Sequence, residues 1–262
     1  MLTVVIPWCD RPAISDTLRL NRPLIGEHEL IVVNVGGDRD ILMRAVNDAD
    51  LADIRVVHLT GTAFNKSFAL NVGLHLASHD ACMMLDADIR LCEYDFVAAV
   101  EKVDDGAFVT LDRVVAEKDQ VGLGRSGLAA VRHRVALDFA DGRTIEVETS
   151  ALFNDGNARS GPGILLASTS RLREIGGYNS AFIGWGWEDV DVIVRLQQHG
   201  LRRESHGLGW HLSGSDAAAE PSGTTKRDSE LRNRALAFRN YAAGQFLGTL
   251  ENDVRRCFGT GL

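Results

Sequence analysis

Carboxylates in two short segments are the side chains with the clearest chemical potential in this sequence. Asp86 and Asp88 follow an apolar run, and Glu188 and Asp189 follow the segment Gly184-Trp185-Gly186-Trp187. Two carboxylates two residues apart can offer oxygens to a hard divalent cation such as Mn²⁺ or Mg²⁺, which would in turn bind a nucleotide diphosphate. Such triplets also occur by chance. The position at the end of a predicted strand favours a ligand site, because ligands lie there in open α/β sheets.

The second acidic segment joins aromatic rings and glycines to carboxylates. Trp185 and Trp187 offer flat faces of the kind that sugar rings pack against, and Gly186 lets the backbone approach a ligand closely. A helix beginning near Glu188 places its acids in the first turn, where the helix dipole favours them. Such carboxylates beside an aromatic wall could serve as a general base for a hydroxyl group. The alternative is a glycine-rich turn with core tryptophans and acids that only cap a helix.

Further candidates follow two other predicted strands. His211 follows a strand predicted near 204–208, where a neutral imidazole could complete a metal site. A structural histidine packed beside Trp210 is the alternative. Asp10 and Arg11 follow the first strand and would either bind a ligand at its carboxyl end or form an exposed turn.

The elements that must position these residues alternate between strands and helices. Apolar, β-branched runs predict the strands, and apolar positions at helical spacing predict the helices between them. This alternation predicts an α/β fold with a mostly parallel, doubly wound central sheet. Alternating patterns near 131–135 and 144–147 predict a hairpin excursion. Glycine-rich stretches near 117–160 and 213–226 predict loops, and a helix is expected from about 227 to between 247 and 250.

Composition excludes several classes of protein. The formal charge of −8 and the pI near 5.5 argue against nucleic acid as a partner. The sequence has no basic leader and no apolar run of about 18 residues or more, so we expect neither a signal sequence nor a membrane span. The scattered cysteines suggest reduced thiols and a cytoplasmic location. We find no GxGxxG, P-loop or GxSxG motif, so dinucleotide, P-loop and hydrolase functions lack support.

The order of these motifs resembles that of the GT-A fold glycosyltransferases. The run Phe64-Asn65-Lys66-Ser67-Phe68-Ala69-Leu70-Asn71-Val72-Gly73 looks like the helix before the DxD motif of β-1,4-galactosyltransferases. The Gly184–Asp191 segment looks like their WGWGxED segment, and bacterial polysaccharide glycosyltransferases carry related versions. The resemblance covers roughly residues 2–212. It implies a GT-A (Rossmann-like) α/β/α sandwich forming a single domain over 1–262. Residues 1–115 would bind the nucleotide sugar, 160–212 would bind the acceptor and catalyse transfer, and 227–250 would add a C-terminal helix.

The resemblance also implies an activity and a role for each site residue. The enzyme would transfer a hexose or N-acetylhexosamine from a UDP-sugar to an acceptor hydroxyl on a glycan or small molecule, with inversion and with Mn²⁺ or Mg²⁺. Asp189 would be the base and Glu188 would bind a sugar. Trp185, Gly186 and Trp187 would bind the acceptor or the donor ring. The metal would be held by Asp88, Asp86 and His211, and the donor would be bound by Pro7, Arg11, Asn34, Lys66 and Asp86.

Three positions depart from the family pattern. Asn34 stands where many relatives have Asp, and Trp187 stands where the galactosyltransferases have Gly. No methionine precedes His211 as it does in those enzymes. The alternatives to a glycosyltransferase are a sugar-nucleotide nucleotidyltransferase and an inactive carbohydrate-binding relative. The basic helix at 227–247 would allow a weak contact with the inner membrane surface, against the simpler expectation of a solvated face.

Overall fold

A computed structural model describes residues 1–51, 53–116, 128–153, 158–212 and 224–259. Within the predicted loop segments at 117–160 and 213–226, residues 117–127, 154–157 and 213–223 lie outside these ranges. The described chain alternates strands and helices in the following order: β1 Thr3–Trp8, α1 Ile14–Ile25, β2 Glu29–Val35, α2 Arg39–Asp48, β3 Ile54–Leu59, α3 Lys66–Leu76, β4 Ala81–Met84, β5 Ile89–Cys92, α4 Phe96–Asp104, β6 Ala107–Ala116, β7 Ala130–Asp138, β8 Thr144–Phe153, β9 Ala158–Ser168, α5 Thr169–Glu174, α6 Glu188–Gln198, β10 Arg202–Ser205, β11 Leu208–His211, α7 Lys226–Ala242 and α8 Leu250–Phe258.

One mixed sheet runs through the molecule in the order β3-β2-β1-β4-β9-β6-β11-β5. Its first four strands are parallel, because α1, α2 and α3 carry the chain back between successive strands. β9 is antiparallel to both β4 and β6, and β5 is antiparallel to β11. β10 and β11 both pair with β6 in parallel. The α/β class is confirmed, and the parallel arrangement is concentrated in the half that contains β1.

Helices cover both faces of the sheet and bury two apolar layers. Alternate residues of β1 point to opposite faces, so Val5 joins the layer under α3 and α6 while Val4 and Ile6 join the layer under α1 and α2. Both layers are closed to solvent. The sheet therefore provides a rigid base for the loops that leave its strand ends.

The predicted hairpin excursion is present as β7 and β8. These strands pair over their whole length, with a register shift between His133 and Arg134. The hairpin is attached to the main sheet by the pairing of Leu152 in β8 with Arg159 in β9. The alternating sequence pattern therefore predicted this element correctly.

Several elements differ from the sequence prediction. The strand expected near 204–208 is two strands, β10 and β11, and His211 is the last residue of β11 rather than a residue beyond it. The C-terminal helix ends at Ala242, because Gly244 takes a positive φ of 69° after it. A separate helix, α8, follows. No helix in the described ranges has the length and apolarity needed to cross a membrane.

Candidate functional site

The loop from Asp86 to Asp88 connects β4 to β5 at the carboxyl end of the parallel strands. The Leu85 backbone N–H donates to the Val5 carbonyl oxygen at 2.9 Å, so the loop begins in register with β1. From the other side, the Thr17 hydroxyl in α1 donates to the Ala87 carbonyl oxygen at 2.8 Å. The Asn21 side chain, also in α1, donates to the Ile89 carbonyl oxygen at 2.8 Å. Helix α1 therefore fixes the backbone that presents both aspartates.

Asp88 contacts two of the predicted ligand-binding residues. Its Oδ2 lies 3.3 Å from Arg11 Nε and 3.5 Å from His211 Nε2. His211 reaches it because β11 pairs with β5 so that His211 is opposite Ile89. Burial alone would raise the pKa of the Asp88 carboxyl, but the contact with His211 and the charge of Arg11 outweigh it and lower the pKa. Asp88 is thus an ionised, nearly buried carboxylate.

The donor set at Asp88 fits a divalent cation that also binds phosphate. Within the part of the chain that the structure describes, no group of three or more His, Cys, Asp or Glu side chains could hold a metal ion. Asp88 and His211 nevertheless offer an oxygen and a nitrogen within 3.5 Å of each other. Mg²⁺ is commonly held by one or two carboxylates, with substrate phosphates and water completing its coordination. Asp86 lies apart from this pair, because its carboxylate is bound to Lys66.

Lys66 lies between the two acidic segments. It is the first residue of α3, and its Nζ is 2.7 Å from Asp86 Oδ1 and 3.6 Å from Glu188 Oε1. Burial acts to lower the pKa of the Lys66 ammonium. The carboxylates of Asp86, Glu188 and Asp189 outweigh burial and raise the pKa, so the side chain stays charged. Two segments that are about a hundred residues apart in the sequence therefore meet on one ammonium group.

The end of α3 that carries Lys66 is tied to the segment before α6. Asn65 caps α3 by accepting from the Phe68 backbone N–H at 2.9 Å. The same side chain donates to the carbonyl oxygens of Ser180 and Phe182 at 2.9 and 3.0 Å. One asparagine therefore positions both the lysine and the approach to the second acidic segment.

Glu188 and Asp189 open helix α6, and Asp189 faces Gly163 of β9. A β-carbon added to Gly163 would lie 3.5 Å from Lys66 Nζ, 3.6 Å from Asp86 Oδ2 and 3.7 Å from Asp189 Oδ2. Burial, followed by the charge of Asp189, raises the pKa of Glu188 to about 7. The glycine keeps free the space in which these charged groups meet.

The two predicted stacking tryptophans occupy different environments. Trp185 is 50% exposed, whereas Trp187 is 5% exposed. The Trp187 ring packs edge-to-face on Phe238 of α7, with ring centroids 5.3 Å apart at 85°. The two rings do not form one wall in this structure, because Trp187 lies in the core and its backbone has a left-handed φ of 75°. Its contact with a sugar ring stays a prediction. Trp185 is the indole that a ligand could reach.

Three of the predicted donor-binding residues, Pro7, Arg11 and Asn34, lie at or just after the carboxyl ends of β1 and β2. Pro7 is buried in β1 opposite Val33, and Arg11 follows in the loop held by Trp8, whose Nε1–H donates to the Arg11 carbonyl oxygen at 2.9 Å. Asn34 is also buried, and its amide is engaged: it donates to the Gly37 carbonyl oxygen at 2.9 Å and accepts from the Gly37 N–H at 2.8 Å. The amide of Asn34 thus stabilises a local turn.

The sequence analysis did not identify the buried polar residues that hold α6 and α3 to neighbouring elements. Asp191 and Arg195 form an ion pair of 2.7 Å at 1–2% exposure, and the Tyr241 hydroxyl donates to Asp191 at 2.9 Å. In α3, Asn71 donates to Asp253 of α8 at 2.7 Å and accepts from the Tyr178 N–H at 2.7 Å. A polar residue inside an apolar helical run was the available signal for Asp191, Arg195 and Asn71.

Comparison with known protein sequences finds a matching family model and a related protein. Residues 144–210 match the family model described as the N-terminal domain of galactosyltransferase. A hyaluronan synthase of Pasteurella multocida is 25% identical over 222 residues, which cover 76% of this chain and 23% of that protein. The chain thus spans about a quarter of the length of this curated relative.

Two solved structures share the architecture. A GalNAc-T7 crystallised with UDP, GalNAc and Mn²⁺ superposes with a TM-score of 0.59 at 13% identity, covering 90% of this chain and 47% of that one. TarS of S. aureus has a TM-score of 0.50 at 13% identity, covering 80% of this chain and 36% of its own. The GT-A-like α/β fold is confirmed, and the comparisons together support a glycosyltransferase.

Proposed function

We propose that this chain transfers a hexose or N-acetylhexosamine from a UDP-sugar to an acceptor hydroxyl, with inversion and with the help of Mn²⁺ or Mg²⁺. One observation carries this proposal: the Asp86–Asp88 loop and the Glu188–Asp189 pair meet at Lys66 and Gly163. A donor bound at the first segment and an acceptor bound at the second would place their reacting atoms together. Holding two reactants in this way removes much of the entropic barrier to a bimolecular reaction.

The donor side would consist of the residues around Asp88. Asp88 and His211 would hold the cation, and Arg11, 3.3 Å from Asp88, would donate to a diphosphate oxygen. When bound, the cation supplies stabilisation of the negative charge that develops on the diphosphate leaving group. Asp86 would act through its ion pair with Lys66. Pro7 and Asn34 would border the nucleoside, with Asn34 shaping the turn through Gly37.

The acceptor side would consist of the α6 terminus and Trp185. Asp189 would take the proton of the acceptor hydroxyl as its oxygen bonds to the anomeric carbon of the donor. The bond from that carbon to the diphosphate would break at the same time, so UDP leaves with its electron pair. Attack from the face opposite the leaving group inverts the anomeric carbon. Glu188 would hydrogen-bond a sugar hydroxyl, and Trp185 would pack on the acceptor ring with Gly186 beneath it.

The first test is calorimetric titration of UDP into the protein with and without Mn²⁺, repeated on Asp88→Ala and His211→Ala. We expect binding that needs Mn²⁺ and that weakens at least about tenfold in both variants. Asp16→Asn, an exposed change in α1, serves as the control. Equal UDP binding with and without Mn²⁺, unchanged in Asp88→Ala, would show that Asp88 does not hold a cation needed for UDP binding.

A screen of UDP-sugars against simple glycosides follows the binding experiment. UDP release that requires an acceptor supports transfer. Formation of labelled UTP from the UDP-sugar and labelled pyrophosphate, with release of sugar 1-phosphate, would instead indicate a nucleotidyltransferase, and binding without turnover would indicate an inactive relative. The cytoplasmic location and a weak membrane contact through α7 stay predictions.

A further inference from the structure

The loop from Ile183 to Trp187, here called the 183–187 loop, has a backbone that needs outside support. Gly184 and Gly186 have φ values of 77° and 92°, and Trp187 has a φ of 75°. The left-handed region is open to glycine but disfavoured for a residue with a side chain. A short loop with this geometry persists only when its surroundings hold it.

Asn233 of α7 supplies that support through a single side chain. It is 1% exposed, and its Nδ2 donates to the Gly186 carbonyl oxygen at 2.9 Å and to the Ile183 carbonyl oxygen at 3.3 Å. Its Oδ1 accepts from the Ile183 N–H at 3.4 Å. The Asn233 amide therefore bonds to the backbone at Ile183 and at Gly186, on either side of the exposed Trp185. Arg232 adds a second donor to the Ile183 carbonyl oxygen.

The surface of α7 also shapes the loop by packing. A β-carbon at Gly186 would lie 3.4 Å from the Glu230 side chain, so α7 lies directly against this backbone. Phe238 covers the Trp187 ring. Between these contacts, Ile183 and Trp185 stay about half exposed, at 51% and 50%. Helix α7 therefore buries one indole of the loop and leaves the other available.

The far end of α7 is fixed to the helix that carries the acidic pair. Tyr241 donates to Asp191, which is paired with the buried Arg195 of α6. Helix α7 therefore contacts the segments on both sides of Trp187, the loop that carries Trp185 and the helix that begins with Glu188.

We infer that Asn233 is a positioning residue that holds the 183–187 loop in the shape that receives the acceptor, so that α7 controls acceptor use and not donor use. This inference rests on the proposed function. Loss of the Asn233 amide would loosen Trp185 relative to Glu188. The Asp86–Asp88 loop is held by α1, on the other face of the sheet, and would be unaffected.

The test compares Asn233→Leu, which keeps a similar volume without hydrogen bonds, and Asn233→Ala with wild type. Arg234→Ala, one residue along on the exposed side of α7, is the matched control. Backbone hydrogen exchange is measured for 183–187. With the UDP-sugar that wild type consumes, transfer to p-nitrophenyl glycosides of N-acetylglucosamine, glucose and xylose is compared with hydrolysis of the donor by water.

We expect exchange in 183–187 to accelerate about tenfold in both Asn233 variants and to stay unchanged in Arg234→Ala. The ratio of transfer to hydrolysis should fall at least about tenfold, with Mn²⁺-dependent UDP binding retained. A merely structural role would lower both reactions equally and leave that ratio unchanged, which would overturn the inference, as would unchanged exchange. If wild type consumes no UDP-sugar, the proposed function fails, and the exchange measurement alone decides the role of Asn233.

Discussion

The hydroxyl of Thr17 donates a hydrogen bond of 2.8 Å to the carbonyl oxygen of Ala87, the middle residue of the Asp86–Asp88 loop. Thr17 is fully buried in α1, and the contact joins residues 70 positions apart in the sequence. The aspartates themselves make no part of this bond. A helix that carries none of the proposed ligands therefore holds the backbone that presents Asp88.

Replacement of Thr17 by valine should weaken UDP binding at the donor site, although Thr17 is not one of the proposed donor-binding residues. Thr17→Val keeps the shape of the side chain but leaves the Ala87 carbonyl oxygen without its donor, which costs about 1–3 kcal/mol. We expect a matching drop in the free energy of unfolding in urea, together with weaker Mn²⁺-dependent UDP binding. Asp16→Asn on the exposed face of α1 should change neither quantity. Unchanged UDP affinity in Thr17→Val would show that α1 does not position the loop.

The raised pKa of Glu188 predicts how stability depends on pH. Burial and the neighbouring Asp189 raise this pKa from 4.5 to about 7, so the folded protein binds a proton at Glu188 more tightly than the unfolded chain does. Its contribution to stability is fully present below pH 4.5 and is lost as pH rises through about 7. The size of this contribution is roughly 3 kcal/mol.

Glu188→Gln should remove that dependence, since glutamine imitates the protonated acid. We expect the variant to be more stable than wild type by roughly 2–3 kcal/mol at about pH 8 and to match it at about pH 4. Urea unfolding at the two pH values measures the difference. A difference between variant and wild type that stays constant across this range would contradict a raised pKa.

Replacement of two glycines of β9 by alanine should have different effects, a loss of turnover at Gly163 and a loss of stability at Gly161. In Gly163→Ala the new carbon makes only ordinary contacts, at 3.5–3.7 Å, so stability should shift by no more than about 1 kcal/mol. The methyl group would nevertheless occupy the space between the charged groups, and turnover of a UDP-sugar should fall at least about tenfold. In Gly161→Ala the carbon would lie 2.9 Å from Leu111 Cβ, and overpacking should cost about 1–3 kcal/mol. Full activity in Gly163→Ala would place the reacting groups elsewhere.

The two tryptophans should separate stability from acceptor binding. Trp187→Ala removes a buried ring and should cost about 3–5 kcal/mol in the free energy of unfolding. Trp185→Ala removes a half-exposed ring and should cost less than about 1 kcal/mol, while raising the KM for the acceptor. Thermal unfolding and initial-rate kinetics measure the two effects. A Trp185→Ala variant with the acceptor KM of wild type would exclude this ring from the acceptor site.

Local sequence signals predicted most strands and helix starts correctly. The caps at Asp38 and Asn65 follow from residue type, because Asp and Asn side chains readily accept from N–H groups in the first helical turn. Helix α1 was not predicted. It contains Pro23 and buries Thr17 and Asn21, so it lacks the continuous apolar stripe that identifies a helix.

The site residues were harder to assign, because long-range partners determine their roles. Asn34 has the right residue type for a base contact, but nothing in its sequence context indicates that the turn at Gly37 engages its amide. Trp185 and Trp187 are two residues apart and look equivalent. The positive φ values at Gly186 and Trp187, together with the position of α7, expose the Trp185 ring to solvent and bury the Trp187 ring in the core.

The position of β9 has a consequence for how the chain can fold. β9 lies between β4 and β6, so both of those strands expose an unpaired edge until residues 158–168 are available. During synthesis from the N-terminus, the predicted nucleotide-binding half would therefore be complete in sequence long before its sheet could close. Contacts of such long sequence separation slow folding. The two proposed halves of the site should consequently form in one cooperative step, and a fragment ending before β9 should aggregate rather than bind nucleotide.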